Sequence, residues 1–183
     1  MSMTDGSSEP VNFIKFCPHC GSQRFEARSA REFLCGACGF NFFINSATAV
    51  VAIIRDSSGR ILLTRRDRDP WAGHLDLPGG FVDPGESAEQ ALRREVREEL
   101  NIEIRSARYI ASAPNEYVFS NFKVRTTDLA FECQVDTIPT TASDDVRQLV
   151  WTLPQDIDIN LFPFPSIRQL TETYLKLLRC EKP

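Results

Sequence analysis

The sequence predicts an α/β domain with a small cysteine-bound module ahead of it. Two observations carry this expectation. Runs rich in β-branched and aromatic residues stand on both sides of one strongly capped amphipathic helix, and two Cys-x-x-Cys pairs occupy a segment too poor in aliphatic residues to bury a core. With 183 residues, 42% of them hydrophobic and 25% charged, the chain can form one buried core plus a small appendage. A formal net charge of −4 gives no basic footprint, so nucleic acid is not an expected partner. The longest apolar run, Ala47 to Ile54, falls far short of the roughly 20 residues that a membrane span needs. The opening residues, MSMTDGSSEP, lack the basic start and apolar stretch of an export signal. Because four of the six cysteines are paired at metal-ligand spacing rather than spread as a disulfide framework, the expected compartment is the cytoplasm.

Residues 1–12 are small and polar without periodicity, which predicts a disordered tail. Residues 13–45 hold the cysteine pairs. Cys17 and Cys20 flank Pro-His, Cys35 and Cys38 flank Gly-Ala, and fourteen residues separate the pairs. Gly21 and Gly39 follow the second cysteine of each pair, where a turn that aims two thiolates at one metal needs positive φ. Four thiolates suit tetrahedral Zn2+ at a closed structural site, a zinc ribbon, with iron or four independent redox-active thiols as the alternatives. His19 is expected to face solvent. Cys133 and Cys180 lack partner spacing and are expected to be free thiols.

The main domain is expected over residues 46–183. ATAVVAIIR, the turn residues DSSG and RILLTRR together predict a β-hairpin. A loop containing Trp71, Pro78, Gly79 and Gly80 leads to a helix from Ser87 to Leu100, where Ser87 and Gln90 form a capping box. IEIRSARYIAS, NEYVFSNFKV, DLAFECQV and VRQLVWTL predict further strands. The segment SIRQLTETYLKLL then predicts a closing helix with Ile167, Leu170, Tyr174, Leu177 and Leu178 on one face.

On the central helix Ala88, Leu92, Val96 and Leu100 form the apolar face, and Glu95, Glu98 and Glu99 converge on one flank of it. Carboxylates three and four residues apart repel one another and lose solvation near a core, so they call for a cation. Mg2+ or Mn2+ fits such an all-oxygen set. Glu89 is expected to pair with Arg93 at i+4.

From Gly80 the chain runs GFVDPGESAEQALRREVREELNI, which resembles the Nudix box at Gly80, Glu86, Arg94, Glu95, Val96, Glu98, Glu99 and Ile102. Asn101 stands where the box has glycine, at a helix end that requires a left-handed residue, which asparagine supplies. The resemblance implies an α/β/α sandwich with a mixed sheet, preceded here by the zinc ribbon. It also implies magnesium ligation by Glu95, Glu98, Glu99 and the Gly80 carbonyl, with Glu86 in support and Arg94 orienting. The general base comes from the box or a later loop, where Asp144 and Asp145 stand, and Asp145 is the candidate.

A ribbon ahead of a Nudix domain resembles NAD(H) diphosphatases. That branch carries Ser-Gln-Pro-Trp-Pro-Phe-Pro-x-Ser after the box, whereas this chain reads SAPNEYVFSNF from Ser112 and keeps only Ser-x-Pro. The expected reaction is therefore Mg-dependent hydrolysis of a nucleoside diphosphate linked to another moiety, of ADP-ribose or sugar-nucleotide type, with NAD(H) as the alternative. A catalytically silent nucleotide-sensing or partner-binding module is the alternative of another class. The partner is a small-molecule nucleotide, and the family resemblance allows a homodimer. Tyr117, Phe119, Phe122 and Trp151 are candidates to stack on a base.

Overall fold

A computed structural model of the chain describes residues 6–69, 71–140 and 146–180. It divides into two compact units, Met1–Ser46 with Glu116–Arg125, and Ala47–Asn115 with Thr126–Pro183.

The first unit contains three short antiparallel strands in the order β1 (Phe25–Ala27), β2 (Glu32–Cys35) and β3 (Asn41–Phe43). Its apolar content is small: Phe25 and Phe33 stack at 5.5 Å between ring centroids, with Ile14, Phe40, Phe42 and Ile44 packed around them. Residues 1–5 of the expected tail lie outside the described residues. Residues 6–12 depart from the expectation of disorder, forming 3-10 turns at Gly6–Ser8 and Pro10–Asn12. Glu9 supplies the reason, since its carboxylate meets Lys123 at 2.5 Å and Arg125 at 2.7 Å, and Glu116 bonds the same two cations.

In the second unit, β4 (Ala47–Ile54), β5 (Ile61–Arg66), β6 (Leu75–Asp76) and β7 (Gly79–Phe81) precede α1 (Ala88–Leu100). After α1 come β8 (Ile104–Phe119) and β9 (Phe122–Val135), whose shared end, Glu116–Arg125, belongs to the first unit, then β10 (Val146–Thr152) and α2 (Pro165–Cys180). A mixed four-stranded sheet runs β7-β4-β9-β8, with β4 parallel to β9 and antiparallel to β7; an antiparallel sheet runs β10-β5-β6. This is the expected α/β architecture with a mixed sheet. Ala91, Leu92, Val96 and Leu100 of α1 bury against Val50, Ala52, Ile54, Leu62, Phe131 and Cys133, so the helix is held by its apolar face.

Two expectations about pairing are corrected. β4 and β5 do not form a hairpin ladder: after the single antiparallel bridge Arg55–Ile61 they part into different sheets. Period-2 patterning identifies strands but not their partners, and β4 has β7 and β9 on its two edges. NEYVFSNFKV is not one strand. The chain reverses at Ser120 (φ 50°) and Asn121 (φ 61°), so the segment belongs to the two long strands β8 and β9. Positive φ at both central residues suits the right-handed twist of the flanking strands.

On the closing helix Ile167, Leu170 and Tyr174 are buried as expected, whereas Leu177 is exposed. Cys133 is buried and Cys180 exposed, both as free thiols. No helix among the described residues is long and apolar enough to cross a membrane. The capping box is present, with Gln90 N–H donating to Ser87 Oγ at 3.2 Å and Ser87 N–H to Gln90 Oε1 at 2.7 Å. Ser87→Ala is expected to cost about 1 kcal/mol of unfolding free energy, measured by denaturant titration.

Candidate active site

The helix start and end are both pinned, and this aims the glutamates. Ser87 caps the N-terminus, while Asn101 adopts the left-handed conformation at φ 52° and returns its N–H to the Arg97 carbonyl. Between them, burial of Leu92 and Val96 turns the flank carrying Glu95, Glu98 and Glu99 toward β7. Glu99 accepts from the Gly79 N–H at 3.0 Å. Glu95 lies against Gly80 so closely that a Cβ on that glycine would stand 2.4 Å from Glu95 Oε1. A side chain at position 80 is therefore opposed by the Glu95 carboxylate, which would have to move aside, and not by φ. Gly80→Ala is expected to displace the Glu95 carboxylate and lower kcat about a hundredfold, checked by steady-state kinetics beside thermal unfolding.

Arg94 joins the acidic groups. Its Nε and Nη2 each meet Glu86 at 2.9 Å, Nη1 meets Glu95 at 2.7 Å and Glu98 at 3.2 Å, and Nη2 also donates to the Phe81 carbonyl at 2.9 Å. The guanidinium holds the Glu86 carboxyl below its ordinary range. Burial pushes Glu95 above the carboxylate range against the pull of Arg94, and the nearby Glu98 and Asp83 charges add to the rise. One guanidinium thus leaves the cluster short of positive charge. Its donors are all oxygen, the set that hard divalent cations take, so their chemistry suits magnesium, while among the described residues only the four cysteines stand with their ligand atoms all within 4.8 Å of one another. Arg93 does not pair with Glu89; it turns instead to the Ile104 carbonyl.

Gly79 is the participant that the sequence pattern did not single out. Its φ is 147°, and a Cβ there would fall 2.0 Å from the Val50 carbonyl oxygen, so any side chain would break the β4–β7 ladder. The adjacent Gly79-Gly80 pair was the available signal.

Asp144 and Asp145 are outside the described residues. Tyr117 and Phe119 belong to the first unit, as does Phe122, whose ring meets Phe13 edge-on at 5.7 Å. Trp151, on β10, packs against the main core.

In the first unit the Sγ atoms of Cys17, Cys20, Cys35 and Cys38 all lie within 4.8 Å of one another. Cys17 and Cys38 are 3.8 Å apart, and Cys20 and Cys35 3.7 Å. Two sulfurs bound to one zinc at about 2.3 Å in a tetrahedron stand about 3.8 Å apart, so the cluster fits that ion. The two knuckles repeat one pattern: Cys17 N–H bonds the Ser22 carbonyl and Cys35 N–H that of Phe40, both at 2.9 Å, with Gly21 and Gly39 at φ 72° and 75°. Burial opposes ionisation of Cys35, but the backbone N–H groups of Cys38 and Ala37 and the neighbouring sulfurs bring its thiol down to about 6. His19 is exposed as expected and stacks on Phe40 at 5.6 Å.

Residues 45–171 match the NUDIX domain family. The chain belongs to this family. Among curated relatives, the NAD-capped RNA hydrolase NudC of Escherichia coli strain K12 is 38% identical over 101 residues, 55% of this chain. The protein of that name from Shigella boydii matches equally. The aligned stretch covers only 38% of the length of these relatives. Among solved structures, a MutT NUDIX hydrolase from Burkholderia pseudomallei is 28% identical with a TM-score of 0.58, over 71% of this chain and 98% of that one. A NUDIX hydrolase from Nitrosomonas europaea, 21% identical, shares the fold with a TM-score of 0.64 over 93% of this chain and 95% of its own.

Proposed function

We propose that this NUDIX chain is a magnesium-dependent hydrolase that cleaves the diphosphate of a nucleoside diphosphate joined to another moiety, of ADP-ribose or sugar-nucleotide type. The observation that carries the proposal is the contact of Glu95 with Gly80, which sets a desolvated carboxylate beside a bare backbone within a cluster that one arginine does not neutralise. Glu95, Glu98, Glu99 and the Gly80 carbonyl would hold the cation, which when bound neutralises the diphosphate and acidifies a water. Glu86 and Arg94 fix the Glu95 and Glu98 carboxylates in place. Water oxygen bonds to phosphorus, the anhydride P–O bond breaks, and the water proton passes to a carboxylate, for which Asp145 is the candidate. The products are a mononucleotide and a second phosphate monoester. Cys17, Cys20, Cys35 and Cys38 would hold zinc in a structural role, their four thiolates filling its tetrahedral positions. A cytoplasmic setting and a homodimer belong to the same proposal, the dimer tested by sedimentation.

The relatives named NAD-capped RNA hydrolases support a second reading, in which NAD(H) or an NAD-capped RNA is the substrate. The test is a magnesium-dependent panel of NADH, NAD, NAD-capped RNA, ADP-ribose and sugar nucleotides. Preferred release of AMP from ADP-ribose, or of a nucleoside monophosphate from a sugar nucleotide, supports the first reading. Preference for NAD-bearing members supports the second. Binding without cleavage of any member makes the chain a sensing module.

A further inference from the structure

The face of the four-stranded sheet opposite α1 carries buried polar residues that the proposed reaction leaves unused. Thr126 and Asp128 of β9 are buried there, alternating with exposed Thr127. Asp128 is fully partnered, since Thr126 Oγ1 donates to one oxygen at 2.5 Å and Ser166 of α2 donates to the other. Asp76, also buried, takes Arg66 Nη1 at 2.8 Å and the Leu77 N–H at 2.9 Å. Asn115 of β8 differs. It is 8% exposed, and its Oδ1 has no hydrogen-bond partner.

An unpaired buried amide oxygen has given up its hydration with nothing in return, so a fold that retains one calls for an explanation. The hydroxyl of Thr171, the other such atom among the described residues, lies in α2, where rotation about χ1 brings it to the carbonyl four residues back. A strand amide has no such local partner. Counting outward from the Ser120–Asn121 turn sets Asn115 across from Thr126, with Ala113 and Asn115 buried and Pro114 and Glu116 exposed. Thr126 in turn pairs with Ala47 of β4, and the neighbouring Thr48 carbonyl accepts from Val82 just beyond β7. Asn115 is thus three strands across the sheet from the chain that carries Gly80. At about 4.8 Å per strand this is roughly 14 Å across the sheet, and because Gly80 pairs with Val50, three residues along β4 from Ala47, the separation from Gly80 is roughly 17 Å, within reach of an extended nucleotide whose diphosphate is held at one edge.

Resting on the proposed diphosphate hydrolysis, we infer that Asn115 is a specificity-determining residue whose Oδ1 accepts a hydrogen bond from the exocyclic amino group of the substrate's base. The ligand class is an amino-bearing nucleobase, adenine in an ADP-type substrate. Asn115 touches the base and leaves the reacting phosphorus to the glutamates, so its effect falls on binding and on KM.

Calorimetric titration of the whole chain with ADP and with IDP, which carries a carbonyl in place of the amino group, tests this without turnover. The wild-type chain is expected to bind ADP at least about tenfold more tightly than IDP, and Asn115→Ala to bind the two alike. Equal affinities in the wild-type chain, a preference that survives Asn115→Ala, or no binding of either would overturn the assignment. Thermal unfolding confirms that the variant is folded, and Asn115→Ser replaces it if it is not. Should the substrate panel show no hydrolysis while the ADP preference tracks Asn115, the reaction is wrong and the base contact stands. Hydrolysis with no dependence on Asn115 gives the reverse.

Discussion

Glu98→Gln is expected to lower kcat by about a hundredfold to a thousandfold in magnesium while leaving thermal unfolding almost unchanged. Glu98 is the residue of choice because its side chain is 47% exposed, against 16% for Glu95. Removing one exposed carboxylate charge changes stability by no more than about 0.5 kcal/mol. Both glutamates meet Arg94 Nη1, but Glu95 does so at 2.7 Å against 3.2 Å for Glu98 and also lies against Gly80, so lost activity in Glu95→Gln mixes chemistry with misplacement to a greater degree. With one fewer anionic ligand the variant also needs more magnesium to reach half its maximal rate. Rates measured across a magnesium titration, beside a melting curve, check both points; an unchanged rate would remove Glu98 from the metal site.

Cys35→Ser is expected to strip the bound zinc and unfold the three-stranded ribbon. Strands of three and four residues around Phe25 and Phe33 bury too little apolar surface to hold together unaided. Structural zinc contributes about 10 kcal/mol or more in small domains of this kind. Cys35 is the buried cysteine whose sulfur also accepts from the Ala37 N–H at 3.4 Å, and serine would supply neither a thiolate for a metal nor that contact. Zinc content by mass spectrometry and amide exchange across Phe25–Phe43 are the measurements. The expected outcome is loss of one zinc per chain together with loss of protection; a metal-free ribbon that stays protected would show that the cysteines are not its staple.

The glutamate helix was legible because its signals are local. Ser87 and Gln90 announce the start, Asn101 the end, and the 3.6-residue period of Leu92 and Val96 fixes which flank the carboxylates share. The cysteine knuckles were legible for the same reason, since each is closed by a glycine within its own turn. Long-range pairing was not. The composition of β4 matches a strand but does not encode whether β5 or β9 lies beside it. The Ser120–Asn121 reversal lacks the glycine that marks most such turns, so the sequence does not announce it. Glu9 read as tail because its partners, Lys123 and Arg125, stand more than a hundred residues away. Asn115 carries no local signal either, since its lack of a partner for Oδ1 is a property of the folded chain and not of its spacing.

In the proposed reaction the helix carrying Glu95, Glu98 and Glu99 directs water onto a phosphorus of a nucleotide diphosphate. Hydrolysis in 18O-labelled water with magnesium, using ADP-ribose and the sugar nucleotides and following the products by mass spectrometry, tests this most directly. The expected result is one 18O in the phosphate of a single product, with no release when magnesium is withheld and at least about a hundredfold less release with Glu98→Gln. Products whose phosphates carry no label, or labelled products formed equally well by Glu98→Gln, would contradict it.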